Sequence, residues 1–309
     1  MAPPQHRAAA SGRIRRHPFS PHANHAAPSR LPVTFRIPTA LAVLGLACTP
    51  AACAPGRPTP HGGETARAAL ARPGFAWRTL EANGIHLHYL PGGDAAANAP
   101  ELARRAEAAL RYDLALARMP AVRDTVELFL VDSREQARQL TGQGYMGQAI
   151  PGELTAFFVV EPGKPPLFRH EIMHALSLKL WGTPRTASWL SEGVATWAQD
   201  RCQGHGVDAI AAGFLRDGRL PALGELANRF WEIDEMHAYI TAGSAVAFVA
   251  HAGGAGAVEA LWKLDPQANA HPLGAGGVEM EAAWRRHLGS IPPARLDTAR
   301  LRQHGCGEP

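Results

Sequence analysis

The sequence predicts an α+β fold, with strands in the first half of the folding region and helices in the second. Two patterns carry this expectation. Short apolar or alternating segments, bounded by Gly, Pro and Asn, cluster before residue 161. After residue 166, apolar residues recur at helical spacing almost to the end. The composition agrees: at 46% hydrophobic residues in 309, the chain can bury a core and is not wholly disordered.

Segments 77–81 and 85–90 alternate around Ala82-Asn83-Gly84, the signature of a hairpin. Leu102, Ala106, Leu110, Leu114 and Ala117 predict a helix over 101–119. A short apolar strand is expected over 125–131, a helix over 133–140, and a second apolar strand over 155–160, between Pro151-Gly152 and Pro162-Gly163. Helices follow over 167–180, 188–200, 209–215, 236–252, 255–264 and 278–288. No internal repeat is evident.

The formal net charge of +4 is unevenly placed. Six of the 31 basic residues and none of the 27 acidic ones fall in the first 54, so the remainder is slightly acidic. This excludes a nucleic-acid-binding body. Residues 1–54 read as an export leader: a basic flank, an apolar core over 37–47, then small residues around Cys48 and Cys53. The core is too short to span a membrane. Either cysteine could be the lipidated residue of a lipoprotein cleavage box, although Gly45 and Pro50 stand where that pattern prefers leucine; simple cleavage near Ala54 is the alternative. A start at a non-AUG codon for Val33 would explain the long flank. Residues 55–63 read as a flexible tether and 64–309 as the domain. In an oxidising compartment Cys202 and Cys306 could pair, but two isolated cysteines decide nothing. Neither has a partner at zinc-ligand spacing. Four cysteines are too few for a disulfide scaffold.

The chemistry lies in Phe168-Arg-His170-Glu171-Ile-Met-His174-Ala-Leu176. On a helix of 3.6 residues per turn, His170 and His174 share a face and can grip one ion. Glu171 stands about 100° round the axis, beside the ion, where it can take a proton from a metal-activated water. So short a motif arises by chance, but its context is apolar (Leu167, Ile172, Met173, Leu176, Leu178), and histidines inside a buried helix need polar partners. A second element, Ser188-Trp-Leu-Ser-Glu192-Gly-Val-Ala-Thr-Trp197, follows the breaker Gly182-Thr-Pro184. Glu192 sits among apolar residues and suits a third ligand, since a catalytic zinc takes three protein ligands and one open position.

His-Glu-x-x-His followed by Trp-Leu-x-Glu-Gly-x-Ala resembles the gluzincin metallopeptidases, the thermolysin-like and aminopeptidase-like branch, and most of all the bacterial peptidase MA-like set. The resemblance covers roughly residues 155–265. It implies a small mixed sheet, one catalytic Zn²⁺ on His170, His174 and Glu192, and Glu171 as general base. It also implies that the strand before the zinc helix (Thr155, Ala156, Phe157, Phe158) is an edge strand that binds extended substrate. The metzincin pattern fails, because Ser177 and Leu180 stand where it needs Gly and His.

Tyr239, in Tyr-x-x-Ala-Gly-Ser, is similar to the family's oxyanion donor; His237 is the alternative. Thr196 and Asp200 are candidates to hold a ligand imidazole from behind. His86 and His88 share one side of a strand and read as solvent-facing. The expectation is an exported, periplasmic or lipid-anchored bacterial zinc metallopeptidase acting on peptides or proteins. A non-catalytic envelope binding or assembly module on the same fold is the alternative.

Overall fold

A computed structural model describes residues 62–185, 188–265 and 271–306. The leader, Val33, Cys48, Cys53 and most of the tether lie outside the described residues. Among these, no helix is long and apolar enough to cross a membrane.

The elements run α1 (Glu64–Leu70), β1 (Arg78–Ala82), β2 (Ile85–Tyr89), α2 (Asp94–Leu116), β3 (Val126–Val131), α3 (Arg134–Thr141), β4 (Gly147–Ala149) and β5 (Thr155–Val159). They continue with α4 (Phe168–Leu180), α5 (Ser188–Gln199), β6 (Arg201–Cys202), β7 (His205–Gly206), α6 (Val207–Arg216) and α7 (Leu223–Arg229). The last are α8 (Glu235–Gly253), α9 (Ala255–Trp262), α10 (Gly277–Ser290) and α11 (Thr298–His304). The mixed strand-then-helix architecture matches the expected class.

The five-stranded sheet has the order β1-β2-β3-β5-β4. The hairpin β1–β2 closes through Asn83-Gly84, with Gly84 at φ 76°, a backbone region that glycine enters without steric cost. β2, β3 and β5 are parallel, and β4 joins β5 antiparallel. The expected edge strand is therefore internal: Thr155, Ala156, Phe157 and Phe158 are all buried between two neighbours. The edge is β4, a three-residue strand with no apolar alternation to announce it. All six residues of β3 are buried, as expected of a strand covered on both faces. One face carries Leu87, Leu128 and Phe158 into the large core shared with α2 and α4. The other carries Phe129 and Phe157 toward α1.

The helical half packs on α4 through α5, and α8 lies against α5. Gly193 and Gly243 set that crossing. A Cβ on Gly193 would stand 3.0 Å from the Ala242 carbonyl oxygen, and one on Gly243 would stand 2.6 Å from Thr196 Cγ2. The two backbones therefore approach closely because neither side chain intervenes. A buried relay ties further helices to α8: the Trp284 indole N–H donates to Ser244 Oγ (3.0 Å), which donates to Asp208 Oδ1 (2.6 Å).

Cys202 and Cys306 are disulfide-bonded, which settles the open question of their pairing and closes a sequence separation of 104. Gln203 reinforces the junction by bonding both the N–H and the C=O of Asp297, each at 2.9 Å. A loop of this length implies that Cys202→Ser with Cys306→Ser lowers unfolding stability by about 3–5 kcal/mol, measurable by denaturant titration.

Asp113 of α2 is fully buried, and neither carboxylate oxygen has a hydrogen-bond partner among the described residues. Burial pushes its pKa up to about 9, against the pull of the Arg169 charge. The folded state thus binds this proton more tightly than the unfolded chain, whose Asp titrates near about 4. The contribution is complete below about pH 4 and is lost as pH rises through about 9. Denaturation midpoints measured from pH 5 to 9 should fall less steeply for Asp113→Asn than for the wild type.

Candidate metal centre

Helix α4 lies in the core, with every residue from Ile172 to Ser177 buried. Its two histidines are one turn apart, with ring centroids 4.8 Å from each other. α5 packs across α4 and brings Glu192 to the same point. Glu192 Oε2 lies 3.3 Å from His170 Nε2 and 3.2 Å from His174 Nε2. One donor atom from each of the three residues falls within 4.8 Å of the others. Two donors at 2.0–2.1 Å from a tetrahedral ion stand roughly 3.3 Å apart. The three side chains therefore have the donor chemistry and spacing to hold a metal ion.

The electrostatics follow from burial opposed by the imidazoles. Burial alone would raise the pKa of Glu192, but His174 and His170, through charge and hydrogen bonds, outweigh it and hold the carboxyl well below its ordinary value. Glu192 is thus ionised throughout the neutral range. Glu171 behaves oppositely. Burial, helped by the Glu192 charge, pushes it up to about 7, while His170 and a hydrogen bond from the Ala149 backbone N–H pull it down.

That hydrogen bond places Glu171 against β4. Gly147 makes the approach possible, since a Cβ there would come within 2.3 Å of Glu171 Oε1. Gly147 and Ala149 leave no mark in the sequence, because a three-residue edge strand carries no periodic signal.

Tyr239 comes to the ligand set. Its ring stacks on His170 with centroids 6.0 Å apart, and its hydroxyl bonds Glu192. Burial first, then the Glu192 charge, raise the phenol above its ordinary value, so it remains a donor at neutral pH. His237 points elsewhere. Its Nδ1 meets the helix-capping Asp234 Oδ1 at 2.7 Å, and its ring packs on Phe214.

Neither expected outer partner holds an imidazole. Thr196 is buried against Gly243, and its hydroxyl has no partner among the described residues. Asp200 lies beyond the end of α5, at φ 67°, and pairs with Arg201 at 3.6 Å. Thr196, one turn along α5, faces α8 rather than α4, and Asp200 falls after the last residue of the helix. The partner is Ser191, whose Oγ lies 3.2 Å from His174 Nδ1. Its position next to Glu192 was the available signal.

No protein-family model matches this chain, and no curated protein matches it.

Replacing Gly147 by Ala should displace the Glu171 carboxylate while leaving the fold intact, because a side-chain tip yields more easily than backbone. Expected is roughly a 100-fold loss of any hydrolytic kcat/KM with an unchanged thermal midpoint.

Proposed function

We propose that the protein is a zinc-dependent metallopeptidase of gluzincin type, on a thermolysin-like catalytic domain. The observation that carries this reading is the meeting of His170 Nε2, His174 Nε2 and Glu192 Oε2 beside a buried Glu171. Zinc held by these three would act as a Lewis acid on a carbonyl and bring the pKa of a water to about 7.

The chain's own residues supply the rest. Glu171, poised near neutrality, takes the proton of the attacking water and passes it to the leaving amine. The Tyr239 hydroxyl, protonated and adjacent, donates to the oxyanion that develops on the carbonyl. Ser191 holds the His174 ring in orientation. The outer edge of β4, whose residues are partly exposed, accepts an extended peptide as an added strand, with its backbone alongside Glu171. The substrate class is accordingly peptide or protein.

The leader and the Cys202–Cys306 disulfide support export to an oxidising compartment, periplasmic or lipid-anchored at a bacterial membrane.

The test is cleavage of a peptide library, followed by mass spectrometry. Glu171→Gln should retain its zinc and lose hydrolysis by about 10²–10⁴-fold. His174→Ala should lose both the zinc of this centre and the activity. Wild-type rates in Glu171→Gln would overturn the reading.

A further inference from the structure

His86 and His88 do not face solvent as their spacing suggested. His88 is buried, and His86 keeps only 22% of its side chain exposed. Both turn toward Glu127 on the adjacent parallel strand, where His86 and Glu127 are register partners. His86 Nδ1 lies 3.2 Å from Glu127 Oε1, and His88 Nε2 lies 2.6 Å from Oε2.

We propose that His86, His88 and Glu127 form a second divalent-metal site, taking a transition ion of the zinc type, on the sheet face opposite the hydrolytic centre. Four observations carry it. The donor set is two imidazoles and one carboxylate, with donor atoms all within 4.8 Å of one another. His-x-His on a strand presents both rings to one side, and the neighbouring strand inserts the carboxylate between them. The outward nitrogen of His88 is already held: Thr79 Oγ1 on β1 lies 2.8 Å from Nδ1, the acceptor that a ligating imidazole requires behind it. Glu127 is only 1% exposed, yet among the described residues it pairs with no lysine or arginine. A buried carboxylate needs a counter-charge, which either a proton on an imidazole or a metal ion supplies. A 2.6 Å contact is a hydrogen bond. The ion replaces that proton, and the contact widens by about 0.7 Å to reach the roughly 3.3 Å separation of two ligands on one ion. His86 stands at the rim of the group, with 22% of its side chain exposed. The Phe129 ring stacked on His88, centroids 4.5 Å apart, keeps the deeper side dry.

The site does not depend on the hydrolytic reading. The full chain, stripped by a chelator and dialysed against zinc, is assayed for zinc per chain and for thermal midpoint. The variant His170→Ala/His174→Ala should still bind one zinc and gain thermal stability from it. Adding His88→Gln should abolish both. Thr79→Val, which leaves all three ligands in place, should weaken the affinity about 10–100-fold. Should His88→Gln fail to fold, His86→Asn at the rim and Thr79→Val carry the same test. Zinc-free His170→Ala/His174→Ala, or unchanged zinc in every His86, His88 and Thr79 variant, would overturn the proposal. A failed hydrolytic reading would instead show in Glu171→Gln and leave these results unaltered.

Discussion

Helix α4 puts two imidazoles and a carboxylate into a protein interior, and the rest of the molecule answers that demand except at His170 Nδ1, which has no hydrogen-bond partner among the described residues. Buried polar groups cost free energy unless they find partners. Here Glu192 meets both imidazoles with a single oxygen, and Ser191 takes the far nitrogen of one of them. The Ala149 N–H takes Glu171. The partners come from two other elements, Glu192 and Ser191 from α5 and Ala149 from β4, so both elements must be in place when α4 is buried. A group of three donors converging on one point is what an ion requires. The same convergence that makes the helix tolerable in the core makes it competent for metal.

The helical half keeps α5 in that position. Gly193 follows Glu192 directly, and its missing side chain lets α8 lie against α5. The same docking brings Tyr239, on the first turns of α8, over His170. Just past α5, the disulfide fastens Cys202 to the chain's last described turn. Glu192 and Tyr239 are thus brought together at one point by one helix crossing.

The sheet serves two faces differently. Toward α2 and α4 it is aliphatic and forms the large core. Toward α1 it is aromatic and carries the His86–Glu127–His88 group, so the two metal-competent clusters share a sheet without sharing a surface. Period-two alternation along β2 is sufficient to separate them, because Ile85 and Leu87 go one way and the two histidines the other.

Much of this was determined by the sequence itself. The hairpin at Asn83-Gly84, the fully apolar β3, the long amphipathic helices and the spacing of His170, Glu171 and His174 are local patterns, and local patterns are readable because backbone geometry repeats every 2 or 3.6 residues. Glu192 was readable too, as a charge among apolar neighbours. What only the tertiary structure decided involves segments distant in sequence. It made β4 rather than β5 the edge, set Tyr239 and not His237 beside the ligand set, placed Ser191 and not Thr196 or Asp200 on His174, joined Cys202 to Cys306, and turned His86 and His88 onto Glu127. In each case the deciding quantity is the distance between elements, set by packing a core at close to crystalline density, and no periodicity within a single segment contains it.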